Sequence, residues 1–388
     1  MLGLLLAKRG AEVLVLEGHE NFDREFRGEV LQPSTVRLLD KLGLLADILN
    51  EPHSLLESGK VRVDGRMVGE FSFKRIAPEY PYAIWMPQPI FLAALQRKAA
   101  VLPTFTSWMG AKVSKLIQED GRTVGVSGLR HGSEAFEVRA DVVIGADGRY
   151  SAIAKLGGFT AEYEHHDFDM IWFTIPQPPG WSNTMLISLG ETRGLMLPKY
   201  PNEIQAGIVL KRGEWKRWRA DGIEAVADRI RRFDPMFREF ADGLEDFTPF
   251  YPLDAFIKLI DDWSRDGLLL IGDAAHTMSP AGAIGVNVAL ATAVVAAQEI
   301  FPHLRRGPIP HAVLRRVQEV REPDVRALHA LQLRTQVALV GSGGSNRLIN
   351  WLTPRLLPLI VKSPLLPRVQ RRVLFGAPLP PMDPAFRF

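Results

Sequence analysis

Apolar residues follow different periods in different parts of this chain. Three short runs carry no polar alternation: Glu12 to Leu16 (EVLVL), Asp141 to Gly145 (DVVIG) and Gly267 to Gly272 (GLLLIG). Continuous apolar runs of this length are the pattern of parallel strands covered on both faces. Amphipathic spacing predicts helices from about Ser34 to Leu45, Pro89 to Ala100 and Ile223 to Arg232, and small residues predict a buried one from Gly285 to Ile300. Alternating stretches predict antiparallel strands over Lys60 to Phe73 and Ala111 to Val138, turning at Asp64-Gly65 and Asp120-Gly121, because Asp-Gly favours the tight hairpin turn. From about Phe168 to Lys211 further β-like runs alternate with Pro and Gly. Beyond Pro308 the chain reads as helical, basic and Pro-punctuated.

The order of these elements predicts an α/β domain interrupted by a mostly antiparallel sheet. The expected boundaries are 1–167 for the first part of the α/β domain, 168–262 for the inserted sheet, 263–320 for the second part and 321–388 for C-terminal helices. Leu2 to Lys8 reads as a helix stopped at Gly10 that feeds the first buried run. A helix feeding a buried strand normally has a strand before it, so the expectation is a shortened first βα unit, with that strand and its glycine loop upstream of residue 1.

Composition narrows the chemistry. The absence of cysteine removes disulfides, thiolate metal sites and Cys nucleophiles, so redox work requires a bound cofactor. The formal charge of +3 comes from 47 basic and 44 acidic residues scattered together rather than from a basic stripe, which argues against nucleic acid. No uninterrupted apolar run reaches the roughly 18 residues of a membrane span. The apolar start Met1 to Ala7 lacks the basic region and cleavage site of a signal peptide, and a cytoplasmic protein is expected.

Three segments carry candidate chemistry. Glu17, at the end of the first buried run, sits where the acid of a dinucleotide-binding βαβ unit accepts hydrogen bonds from a ribose. Gly3 would then let the helix pack closely on the sheet. The alternative is an ordinary αβ unit with a surface Glu. In DVVIGADGRYS a strand ending at Gly145 delivers Asp147-Gly148 to the carboxyl edge of the sheet, before Ser151 caps a helix; a purely structural turn is the alternative. In GLLLIGDAAHTMSPAGAIGVN a strand ending at Gly272 delivers Asp273, and Pro280, Gly282 and Gly285 form a bare loop opening a helix. That loop would let the amides of Val286 and Asn287 approach a ligand whose charge is negative.

In this order and spacing, the three segments resemble the FAD-dependent monooxygenases of the para-hydroxybenzoate hydroxylase class, from Gly3 to about Val320. The resemblance implies a doubly wound, Rossmann-like FAD-binding domain with an inserted substrate sheet and a helical C-terminal cover. It implies that Asp147-Gly148 serves flavin and nicotinamide, that Gly272-Asp273 binds the ribityl chain, and that the Pro280 loop cups the isoalloxazine. Arg27, in RGEVLQPSTVRLLDKLGL, matches the arginine that reaches the FAD pyrophosphate. Gln88 matches a flavin-contacting glutamine of some relatives, with a plain helix cap as the alternative. Ala283 stands where the flavin loop usually has glycine.

By the same resemblance, NADH or NADPH reduces the flavin and one atom of O2 enters an apolar or aromatic small molecule, with no dedicated catalytic acid or base. Substrate candidates are Trp172, Met196 and Phe250. The alternatives are a flavin-dependent reductase of the geranylgeranyl reductase type and a non-catalytic shortened form. In MIWFTIP, residues 170 to 176, Ile171 and Phe173 occupy the two Trp positions of flavin halogenases, which argues against halogenation. His276 reads as a packing residue and His165-His166 as loop residues lacking a third metal ligand. Leu348 to Phe375, apolar with interspersed Arg and Lys, reads as a helical cover or as a peripheral membrane contact.

Overall fold

In the computed structural model, which describes residues 1–23, 30–189, 193–280, 282–304, 306–340 and 382–388, the uninterrupted apolar runs become parallel strands. Val13–Leu16 pairs in parallel with Phe105–Trp108, and Val143–Gly145 with Leu268–Leu270, which Ser264–Arg265 flanks on its other side. Among the described residues these are two separate sheets. A Cβ on Gly3 of helix Leu2–Lys8 would stand 3.1–3.3 Å from Val13, Val15 and Phe105, so this helix approaches the strands very closely.

The helix Gly285–Ile300 runs through the core and touches Leu2–Lys8, Pro33–Leu42 and the long C-terminal helix His311–Val340. Ala291, Ala293, Ala296 and Ala297 keep it thin enough for three neighbours. Gly285–His303 has the length and mean hydropathy (1.3) of a membrane span, which the search for uninterrupted runs missed, yet most of it is buried inside the fold.

The second sheet has eight strands in the order His276–Thr277, Tyr251–Ile260, Ala161–Pro176, Glu203–Lys211, Gly194–Lys199, Thr184–Leu189, Ser58–Val63 and Arg66–Ser72. Only the pairing of Thr184–Leu189 with Ser58–Val63 is parallel. The sheet is therefore not confined to 168–262: a hairpin from residues 58–72 completes one side and His276–Thr277 the other. Local periodicity marks a strand but not the sheet it joins, which is why the boundary was misplaced. Both Asp-Gly hairpins form as expected, with φ of +46° and +78° at Asp64 and Gly65 and of +48° and +80° at Asp120 and Gly121, the left-handed pair that such turns require.

Strand alternation gives the large sheet two different faces. Ile171, Phe173 and Ile175 face the helices Glu214–Ala220, Ile223–Phe233 and Arg238–Asp242, where Phe173 stacks on Phe240 at 4.6 Å. Phe168, Met170 and Trp172 face the α/β domain and pack with Phe73 and Trp85. Arg62 ties sheet to helices, donating from Nε to Ser188 Oγ (3.1 Å) and pairing with Asp234, which also accepts from Met236 N (3.0 Å). Residues 382–388 return to the first helix and its neighbour: Arg9 pairs with Asp383 (3.2 Å), Lys8 lies over the Phe388 ring at 4.3 Å, and Phe388 N donates to Leu42 O (2.7 Å). Leu348 to Phe375 lies outside the described residues.

Breaking a buried ion pair strands one charge. Asp234→Ala is expected to cost about 3–5 kcal/mol by chemical denaturation, and the double change Arg62→Met with Asp234→Leu to recover most of it.

Candidate cofactor site

The segment after strand Leu268–Leu270 has little regular structure and is shaped by its partners. Gly272 adopts φ +58°, and Thr277 Oγ1 donates to Asp273 O (2.9 Å). The loop then closes with Ala283 N donating to Pro280 O (3.1 Å), and Gly282 and Ala283 stand at φ +83° and +50°. A Cβ on Gly282 would meet only Ile284 within 4 Å, at 3.7 Å; on Gly285 it would meet Met278 Cβ at 3.8 Å and Asp273 Oδ1 at 3.9 Å. These glycines are thus not needed for packing within the chain, and their bare backbones leave a cradle that a side chain would fill. Gly285 opens a 16-residue helix, whose first amides, including those of Val286 and Asn287, have no intrahelical partner. The helix N-terminus favours negative charge, and the Asp273 carboxylate stands beside it.

Asn287 staples this loop to a distant segment. Its Oδ1 accepts from Gln32 N (2.9 Å) and Thr35 Oγ1 (2.5 Å), and its Nδ2 donates to Ala283 O (2.9 Å). Gln32 Nε2 donates in turn to Gly282 O (2.9 Å). Gln32 is 5% exposed, and its Oε1 is buried without a partner among the described residues. An unmatched buried acceptor costs about 1–3 kcal/mol, so the loop presents an acceptor in want of a donor. Sequence reasoning missed both Gln32 and Thr35. Arg27, just upstream, lies outside the described residues.

The Asp147 turn reaches the same region. A Cβ on Gly145 would stand 2.6 Å from Leu270 Cδ2 and 2.8 Å from Ile153 Cγ2, so this glycine serves close packing. Asp147 accepts from Ser151 Oγ and Ile153 N (3.0 Å), capping the helix Ala152–Leu156, and Gly148 adopts φ +85°. The structural role that was the alternative for Asp147 is therefore present in the fold. Arg149 Nε approaches Asp273 Oδ2 at 3.5 Å, joining the two motifs. Behind them lies Lys258, which the sequence reading passed over although a lysine inside the apolar run AFIKLI was a visible signal. Its Nζ donates to Arg149 O (2.7 Å), and burial pushes its pKa down to about 8.

The long C-terminal helix holds the segment from the other side. Gln332 bonds both Ser279 N (3.1 Å) and Ser279 O (3.0 Å), and His329 Nε2 donates to Thr277 O (3.1 Å). His276 is buried against Trp263, ring to ring at 4.7 Å. Thr292 Oγ1 donates to Val288 O and so accepts from His276 Nε2 (3.1 Å). Burial, with Arg321 nearby, lowers the pKa of His276 to about 3, and burial lowers that of His329 to about 4. Both serve the fold as neutral rings.

The remaining expected residues lie apart from this cluster. Glu17 follows strand Val13–Leu16, and its carboxylate accepts from His19 N (3.0 Å) and bonds His19 Nδ1 (2.7 Å). Gln88 begins the helix Gln88–Ala100, whose start carries no side-chain cap. Trp172 is buried on the face toward the α/β domain, its ring over Gly207. Met196 and Phe250, the other substrate candidates, pack on the opposite face from Trp172, beneath the helices: Met196 alternates with Leu195 and Leu197 along its strand, and Phe250 meets Phe173 at 5.7 Å.

A carboxylate at a parallel strand's end, a cradle of bare backbone at a helix start and an unmatched buried acceptor beside it define a protein built for a nucleotide cofactor that brings its own donors and its own negative charge. Those residues fit FAD. The chain matches the family described as "FAD binding domain" over residues 1–329, and it belongs to that family. It is 32% identical to 6-methylpretetramide 4-monooxygenase of Streptomyces rimosus, over 97% of this chain and 89% of that protein. It is 26% identical to protoasukamycin 4-monooxygenase of Streptomyces nodosus subsp. asukaensis, over 87% and 85%. Its fold matches p-nitrophenol 4-monooxygenase PnpA from Pseudomonas putida DLL-E4 with a TM-score of 0.79 at 18% identity, over 97% and 95% of the two chains. The chain is an FAD-dependent oxidoreductase of the monooxygenase class.

Two outcomes follow from this geometry. A Cβ in the left-handed region costs about 1–2 kcal/mol, partly offset by the entropy of an unfolded glycine, so Ala283→Gly is expected to raise stability by about 0.5–1 kcal/mol in denaturant titration. The folded pKa values of His276 and His329 lie below the unfolded value near 6.5, so unfolded chains bind protons first as pH falls. Stability is expected to be full above pH 6.5 and to decline toward pH 4, with Thr292→Val leaving most of that decline in place.

Proposed function

We propose that this monooxygenase inserts one oxygen atom of O2 into an aromatic small molecule bound between the Trp172 face of the inserted sheet and the loop from Pro280 to Gly285. The observation that carries this reading is the position of Ala283. It packs in the same apolar cluster as Phe168, Met170, Trp172, Leu197 and Trp85, so the cofactor loop borders an aromatic face that excludes water. The monooxygenase names of both relatives support the reaction class.

In this reading, Asp273 and Asp147 accept hydrogen bonds from cofactor hydroxyls, Glu17 from the adenosine ribose, and Arg27 meets the pyrophosphate. Gln88 would contact the flavin, and Gly3, Gly145, Gly148 and Gly272 would let backbone come close. The amides of Val286 and Asn287 and the dipole of helix Gly285–Ile300 would stabilise negative charge on a bound flavin. FAD, when bound, would supply the redox chemistry, with NADH or NADPH as reductant and O2 as the oxygen source. The chain supplies orientation and dryness: Trp85 is fixed by its Nε1 donating to Gln205 Oε1 (2.9 Å), which holds a rigid aromatic wall. A cytoplasmic setting, where NAD(P)H is at hand, belongs to the same proposal.

The test is NAD(P)H oxidation by the flavin-loaded chain with phenolic and fused-ring aromatics under 18O2, read by mass spectrometry. Single 18O incorporation is the expected result. A product reduced without oxygen would replace this reading with that of a reductase. Trp172→Ala is expected to lower kcat/KM about ten- to hundred-fold with the flavin spectrum retained, whereas Met196→Leu, in the far core, stays within about two-fold.

A further inference from the structure

Lysine is among the side chains least often buried, because an ammonium taken from water is costly unless it is bonded and charge-compensated. Lys258 is only 2% exposed. It lies on strand Tyr251–Ile260, opposite Thr277 on one side and Tyr163 on the other. The charged and titratable groups facing it are Asp147, Arg149 and Lys155 from the turn and its short helix, and Asp273 and His276 from the segment that follows strand Leu268–Leu270. The same strand grips Arg149 twice, since Lys258 Nζ donates to Arg149 O (2.7 Å) and Arg149 Nη1 donates to Asp254 O (3.3 Å). Arg149 then reaches Asp273 (3.5 Å).

We propose that Lys258 is a positioning residue of the cofactor site, whose buried ammonium holds the Asp147-Gly148-Arg149 turn against the Asp273 segment and offsets their two carboxylates so that an anionic dinucleotide is accepted. The proposal rests on the FAD reading above. With the ammonium neutral, Asp147 and Asp273 keep Arg149 and Lys155 as nearby positive charge among the described residues. The Arg149 carbonyl also exchanges a charge-assisted bond for a weaker neutral one.

The sign of the pH effect separates this role from a merely structural one. Burial places the Lys258 pKa near 8, against 10.5 for a free lysine. Between those values the unfolded chain holds the proton and the folded chain does not, so the contribution of Lys258 to the stability of the cofactor-free protein rises with pH in that window. Cofactor affinity is expected to move the opposite way, falling as pH rises through 8.

The experiment titrates FAD onto the full chain at pH 7 and pH 9, following quenching of flavin fluorescence, for the wild type, Lys258→Arg and Lys258→Met, with circular dichroism to confirm folding. The wild-type Kd is expected to rise about ten-fold from pH 7 to pH 9. Lys258→Arg, charged throughout, should bind equally at both pH values, and Lys258→Met should match the wild type at pH 9 at both. A wild-type Kd unchanged between pH 7 and pH 9 overturns the proposal, and this arm needs no variant to fold. A folded Lys258→Met that binds FAD as tightly as the wild type at pH 7 also overturns it while leaving the flavin reading intact. Failure of the wild type to bind FAD at either pH removes the flavin reading, and this proposal with it.

Discussion

The loop between Asp273 and Gly285 cannot hold its own shape, and most of the architecture is arranged around that constraint. Regular structure satisfies its backbone groups internally, whereas an irregular buried segment needs a partner for each one. Here the partners come from four directions. Asn287 and Gln32 hold Gly282 and Ala283, Gln332 holds Ser279, His329 holds Thr277, and strand Tyr251–Ile260 pairs with His276–Thr277. The stretch from Ser279 to Gly282 is fixed by side chains from outside it, which leaves its outer backbone bare for a ligand. A glycine-rich surface and a rigid position are normally in conflict; supplying the rigidity from outside resolves it.

The parallel runs, both Asp-Gly hairpins and the Gly285 helix were readable from the chain because each depends on neighbours within a few residues. The motif residues Asp147, Asp273, Gly282 and Gly285 were readable because spacing along the chain is what places them at a strand's end or a helix's start. The residues that support them were not. Gln32 and Asn287 are 255 positions apart and meet only in the folded state. The membership of hairpin 58–72 in the large sheet has the same cause. Nor could the faces of Met196, Phe250 and Trp172 be told apart, because an apolar residue in a β-rich region has two to choose from, and only the helices of residues 214–242 decide which of them they cover.

The two faces of the large sheet divide its labour. Toward the helices it is a packed aromatic core, with Phe173 meeting Phe237, Phe240 and Phe250. Toward the α/β domain it is aromatic again, but there it meets Ala283 and the Trp85 strand rather than a helical layer. The same alternation that stabilises the insert on one side thus presents a flat apolar wall on the other, and the chemistry of a water-sensitive oxygen transfer calls for such a wall.

The strand His276–Thr277 belongs to the inserted sheet by hydrogen bonding and to the cofactor segment by sequence. A hinge between sheet and α/β domain would have to tear that strand from Lys258 and Leu259 or drag Asp273 with it. The two halves of the protein are therefore geared together rather than jointed. Admission of a substrate or release of a product therefore cannot proceed by swinging one half of the protein away from the other, because any such rotation is carried straight into the Asp273 segment.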